Sequence, residues 1–213
     1  MNAIETIELG DYTVEVFQDD NPDNPRNWDN IGTMVCFHGR YTLGDKHSFG
    51  SPDDFLEWWK KNGKGGVLLS LYLYDHSGIT MSASSSGNPF SCPWDSGQVG
   101  WIYATKETIL KEYGEEGKNR ITVSMKKKAT HYLLNEVKVY DQYLTGEVYG
   151  YRVKDKNGED IEGGCWGFYG YDHEKSGLLE AAKEDIAGDK RQKADKLKTW
   201  IKNRVPLERR VYA

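Results

Sequence analysis

Three short stretches hold most of the side chains in this sequence that could do chemistry. The first, "CFHGRYTLGDKHSFG" at residues 36–50, contains Cys36, His38, Asp45 and His47. A thiol, two imidazoles and a carboxylate are groups that ligate metal ions or act as nucleophile and base. Residues two apart in a strand share a face, so Cys36 and His38 would stand together with Met34 beside them. They could form a thiol and imidazole pair, or half of a metal site completed by Asp45, His47 or His76. The spacing matches no zinc pattern, however, and a strand end with a buried Cys and a His held by a backbone carbonyl fits it better.

The second stretch, "LYLYDHSG" at residues 71–78, offers Asp75 and His76 as an acid and base pair where a strand ends. Adjacent strand residues point to opposite faces, and Asp-His-Ser-Gly is a good turn sequence, so a turn is the preferred reading. The third, "FSCPWDSGQVG" at residues 90–100, presents Cys92 as a nucleophile that would need an imidazole from elsewhere. Pro93, Trp94 and two glycines describe instead a packed turn, with Trp94 as its anchor and Asp95 bonding the backbone. The catalytic candidates are therefore His38, Asp75, His76, Cys92 and Asp95, and the reaction would be a metal- or thiol-dependent hydrolysis. "DKNGED" lacks the length and terminal Glu of a calcium loop, and no nucleotide-binding, HExxH or GxSxG motif is present. No cofactor and no resident metal are expected.

The elements that would position these groups can be read in order. "TIEL" and "YTVEVF", split by Gly10-Asp11, predict a hairpin, and "QDDNPDNPRNWDN" predicts an exposed loop. "IGTMVCFH" has strand character. "SPDDFLEWWKKNG" predicts a helix with Ser51 as cap, Pro52 at its first position and Gly63 as its stop. "GGVLLSLYLYD" predicts a central strand, with "GITMSAS" and "GQVGWIYAT" as its partners. A short helix follows Thr105, or Thr108 as an alternative cap. A longer one, near 127–144, carries Leu133, Val137, Tyr140 and Leu144 on one stripe and should lie on the sheet. "GEVYGYRVKDKNGEDIEGGCWGFYG" predicts a second hairpin turning at Asn157-Gly158, and the C-terminus is helical. The expected class is α+β, a single domain with a mixed or largely antiparallel sheet and flanking helices.

With 213 residues the chain can bury one sizeable core, and seven Trp and fourteen Tyr supplement a modest apolar content. Between Asp189 and Arg210 there are nine Lys/Arg and three acids, leaving 19 basic and 30 acidic residues elsewhere, so the net −5 divides into −11 and +6. The reading is an acidic body, 1–187, and a basic helix, 188–213, packed on it through Leu197, Trp200 and Ile201. Such a mixed field suits protein partners better than a nucleic-acid groove, so direct nucleic-acid binding is not expected. No leader-like segment and no apolar run of membrane length is seen, and three dispersed cysteines predict reduced thiols in a cytoplasm.

Four groups of residues carry a resemblance: "NPRNWDNIGTMVCFHGRYTLGD", "LYLYDHSGITMS", "CPWDSGQVGWIY", and "YDQYLTGEVYGY" followed by "CWGFYG". Over most of residues 21–170 the chain resembles a family of small phage- and plasmid-encoded proteins of unassigned activity, with WDN-x-G-T-M and CPWDSGQVG motifs. The resemblance implies a mobile-element origin, residence in a bacterial cytoplasm, and an accessory role of binding and blocking a host protein such as a defence complex or nuclease. It brings no catalytic residue with it. The favoured reading is accordingly a protein-binding inhibitor with a host or phage protein as partner, its surface drawn from Trp28, Asp29, Arg40, Tyr41 and Trp94; the alternative is the small hydrolase. Either way "NWDN", "CFHGRY", "YDHSG" and "CPWDSG" should converge at one end of the sheet.

Overall fold

The computed structural model describes residues 2–114 and 119–204. The chain is α+β, its strand pairing is antiparallel throughout the described residues, and it is helical toward its C-terminus, in agreement with expectation. The strands are shared between two four-stranded sheets where one was expected. The chain divides into two compact units, residues 23–146 and the flanking 1–22 with 147–213.

In the flanking unit the N-terminal hairpin, β1 (Glu5–Leu9) and β2 (Tyr12–Gln18), turns at Gly10, whose φ of +68° suits glycine. The later hairpin consists of β7 (Val148–Asp155) and β8 (Cys165–Tyr169), and the sheet order is β1-β2-β7-β8. The pairing of β2 with β7, from Tyr12 with Asp155 to Gln18 with Tyr149, joins two hairpins far apart in sequence. Val14, Val16, Tyr151 and Val153 alternate onto one buried face, which is covered by Leu178, Ala182 and Ile186 of α4 (Leu178–Arg204).

This helix runs through Gly188 without a break, and its packing differs from expectation. The stripe 178, 182, 186 continues into Asp189 and Lys193, so apolar cover ends there and polar ties replace it. Tyr12 donates to Asp189 at 2.7 Å, Tyr151 donates to Asp185 at 2.6 Å, and Lys193 bridges Asp155 and Asp189 at 3.0 and 2.9 Å. Burial, then the bond to Asp185, pushes the Tyr151 phenol above its ordinary range. Beyond Lys190 the helix is exposed, and Leu197, Trp200 and Ile201 face solvent instead of packing. The remainder of the expected basic helix, 205–213, lies outside the described residues.

The unit 23–146 is built on the sheet β3 (Thr33–Cys36), β6 (Ser96–Ala104), β4 (Val67–Asp75) and β5 (Ile79–Ser84), in that order. β4 is interior, as its apolar run predicts. One face carries Met34, Leu69, Leu71, Leu73, Met81 and Ile102 against Leu133, Val137 and Tyr140 of α3 (Val123–Thr145). The helix starts before the expected 127 because Thr122 caps it, accepting from the Met125 N–H at 3.2 Å. It ends at Gly146 with φ +75°, a left-handed residue where glycine costs least. The other face holds Val35 and Tyr103 against Phe55 of α1 (Pro52–Asn62), ringed by Phe49, Trp58, Trp59 and Trp101. The Ser51 cap, Pro52 and Gly63 act as expected, with Ser51 Oγ accepting from the Asp54 N–H. α2 (Lys106–Tyr113) uses Thr105 and not Thr108 as its cap.

Candidate functional site

At one end of this sheet the end of β4 and the start of β6 lie side by side, because antiparallel neighbours must bring those ends together. The Asp75 N–H donates to the Asp95 carbonyl at 2.8 Å, which fixes the two acidic positions next to one another. A turn at 76–78, with Ser77 at φ +58°, leads from β4 into β5. From the other side comes the loop after β3. The Phe37 N–H donates to the Val99 carbonyl at 2.7 Å, and the chain then bends through His38, Arg40 and Tyr41. His38 Nδ1 accepts the backbone N–H groups of Arg40 and Tyr41 at 3.3 and 3.2 Å, and its ring stacks on that of Tyr41 at 5.1 Å. The bend thereby aims Arg40 and Tyr41 at Asp75, whose carboxylate accepts from the Arg40 guanidinium and, at 3.3 Å, from the Tyr41 hydroxyl.

Between these elements lies an open cleft of about 300 Å³, lined by His38, Arg40, Asp75, Trp94, Asp95 and the β6 residues 96 to 99. Trp94 stands at it with 92% of its surface exposed. Asp95 accepts from the Cys92 thiol at 3.3 Å and faces His76 Nδ1 at 3.3 Å. Trp94 is thus no buried anchor of its loop; the bonds of Asp95, of Asn88 Nδ2 to Ser96 Oγ (2.8 Å) and of Ser96 Oγ to the Cys92 carbonyl (2.5 Å) hold it in shape.

Three of the four clusters expected to converge do so, those of His38/Arg40/Tyr41, Asp75/His76 and Cys92/Trp94/Asp95. Trp28 and Asp29 do not line the cleft. They follow a 3-10 turn at Pro25–Asn27, where the Trp28 carbonyl accepts from Asn30 Nδ2, and Trp28 is 48% exposed.

The catalytic pairings read from the sequence are not formed. β3 ends at Cys36, so His38 lies past the strand and turns to its own loop. The Cys36 thiol is buried and its pKa is pushed up to about 12, by burial first and by the Asp45 carboxylate second, which keeps it protonated and unreactive. His47 Nε2 meets the Cys36 carbonyl at 3.0 Å, and Asp45 belongs to an ion pair. At Cys92 the thiol's hydrogen-bond partner is the Asp95 carboxylate, and His76 Nδ1 meets the same oxygen, so the thiol donates to a carboxylate and not to an imidazole. Among the described residues no three His, Cys, Asp or Glu side chains are grouped to hold a metal. Alkylation of the native protein with iodoacetamide is expected to label exposed Cys165 fastest and Cys36 only after unfolding. Native labelling of Cys36 at the Cys165 rate would show that the β3 end opens.

The sequence reading missed a second polar centre, which braces the unit from within. "QDDNPDNPRNWDN" is not wholly an exposed loop, since Pro25 and the Arg26 side chain are buried. Arg26 forms a two-pronged pair with Asp45 at 2.9 and 2.8 Å, meets Glu136 of α3 at 2.9 Å and donates to the Gly32 carbonyl at 2.7 Å. Glu136 accepts the N–H groups of Ile31 and Gly32 at 2.9 and 3.1 Å, and Asp45 accepts that of Met34 at 2.7 Å. Burial alone would lower the Arg26 pKa; the bonds and charges of Asp45 and then Glu136 outweigh it and hold the guanidinium above its usual value. The available signal was Glu136 itself, an acid on the buried stripe between Leu133 and Tyr140, which requires a partner.

Comparison with protein-family models, curated proteins and solved structures finds no match to this chain. Among the described residues no helix is long and apolar enough to cross a membrane.

Proposed function

We propose that this chain is a mobile-element accessory protein that binds a protein of its bacterial host one to one, in the cytoplasm, and blocks it. The observation behind the binding reading is Trp94, a large apolar ring held almost wholly in water at the mouth of a cleft, with Arg40 and Tyr41 beside it. Trp, Tyr and Arg are the residue types in which interface energy concentrates. The loop that carries Trp94 is tied down by its own hydrogen bonds, so docking would require little ordering of that side chain's backbone. The mobile-element origin and the host target rest on the motif resemblance, and a defence complex or nuclease is the target class it suggests. The hydrolase reading is weaker because the Cys92 thiol is bonded to the Asp95 carboxylate and not to an imidazole.

The test is a photo-crosslinking residue placed at position 94 and, as control, at exposed Tyr132 on α3, in the bacterial host. A single host protein captured at 94 but not at 132, in equal stoichiometry and lost with Arg40→Glu, is the expected result. Equal capture at both positions would overturn the reading. So would turnover of a substrate by substoichiometric protein, abolished by Cys92→Ser or His76→Ala, which would establish the hydrolase.

A further inference from the structure

We infer that the cleft takes its partner as an extended peptide segment, added as a strand beside β6, with a Lys or Arg side chain seated between Trp94 and Asp95. This rests on the binding reading above and names the partner's form and chemistry.

The geometry begins with a mismatch of strand lengths. β6 is nine residues long and pairs with β4 from Ser96 to Ala104, but β3 covers its other side only from Gly100 to Tyr103. One more bond, from Phe37 to Val99, closes the β3 side before the chain bends away at His38. Ser96, Gly97 and Gln98 are left with β4 on one flank and, among the described residues, no strand on the other. Such an edge offers backbone donors and acceptors to an incoming strand. Gly97 and Gln98 are exposed, and nothing stands within 4 Å of where a Gly97 Cβ would be. The open stretch also lines the cleft, so a segment lying along it meets the other lining residues, among them His38, Arg40, Trp94 and Asp95.

Charge selects what that segment carries. The cleft contains one guanidinium and two carboxylates, and Arg40 is already bonded to Asp75. Among the described residues the Asp95 carboxylate meets a thiol and the His76 ring, with a third of its side chain in solvent. Trp94 lines the same cleft with its ring exposed, and an aromatic face attracts a cation as well. An acidic side chain would meet Asp75 and Asp95 with Arg40 already occupied.

The probe is a pair of ten-residue peptide pools, identical except that the central residue is Lys/Arg in one and Asp/Glu in the other. Binding to the full chain is read by fluorescence anisotropy, and amide hydrogen exchange locates the contact. The basic pool is expected to bind, to slow exchange at Ser96 and Gln98, whose amides face away from β4, to lose binding when alternate peptide nitrogens are methylated, and to bind about tenfold or more weakly to Asp95→Asn. That substitution keeps an oxygen acceptor for Cys92 and His76. Preference for the acidic pool, or binding without protection of the β6 amides, overturns the inference. Failure of both pools overturns it too, and if position 94 still crosslinks a host protein, the binding reading survives with a folded surface as its partner.

Discussion

Replacing Arg26 with methionine is expected to lower the stability of the unit 23–146 by about 3–5 kcal/mol, the usual cost of leaving buried charge without its partner. Two carboxylates depend on this guanidinium. Asp45 receives two of its N–H groups and Glu136 a third, and a fourth bond holds the Gly32 carbonyl. The methionine would fill much of the space but donate nothing, so the carboxylates would be left to their backbone partners alone. The loss is a large fraction of the whole stability of an ordinary domain. Urea unfolding with an unchanged slope is the measurement, and a shift below about 1 kcal/mol would mean that water reaches the triad freely. Neutralising all three positions together, Arg26→Met with Asp45→Asn and Glu136→Gln, should cost less than Arg26→Met alone, since the amides leave no unpaired charge. Position 32 gives an independent check: a Gly32 Cβ would collide with Leu133 and come within 2.7 Å of Glu136 Oε2, so Gly32→Ala should strain the same centre.

Leu71→Ala is expected to cost about 2–5 kcal/mol through lost burial and the cavity left behind. Leu71 is fully buried in interior strand β4 and shares its cluster with Met34, Met81, Ile102 and Leu133. Its site has little freedom to collapse. Gly100 lies opposite it on β6, and a Cβ on that glycine would already overlap the Val35 carbonyl, so β3 and β6 are in close contact there. The β4 and β6 register shifts between Leu71 and Tyr72, so the chain just beyond Leu71 is held by an irregular pairing as well. Leu68→Ala, on the other face and partly buried, should cost less. Equal effects at 68 and 71, or a loss near zero at 71, would place the α3 face of the sheet outside the core.

Features written in neighbouring residues were legible. Both hairpins carry their turns at Gly10-Asp11 and Asn157-Gly158, α1 carries cap, proline and stop within thirteen residues, and β4 is an unbroken apolar run. The meeting of Asp75 with Asp95 was legible too, since a strand end and the start of its antiparallel neighbour must adjoin. What escaped depends on pairs distant along the chain. The alternation in "YTVEVF" says that one face of β2 is buried but is indifferent to which strand lies beside it, so nothing local selected β7 over β3. Arg26 sat in a loop rich in Asp and Asn, and its carboxylate partners are 19 and 110 residues away. Trp28 and Asp29 follow that buried arginine, which is why they do not reach the cleft. The apolar trio at 197, 200 and 201 suggested packing, but the stripe had been broken by Asp189 and Lys193.

The insertion of 23–146 between β2 and β7 has a temporal side. β7 pairs with β2 only after about 130 further residues have left the ribosome, a wait on the order of ten seconds at ordinary elongation rates. Until then the β1 and β2 hairpin has no third strand and no α4 above Val14 and Val16, and a lone hairpin is marginal in water. The nascent chain therefore holds its first-made strands open longest. Completion of that sheet is the late event, and the β2 and β7 pairing must close a loop of the whole intervening segment, a contact of high sequence separation that forms slowly.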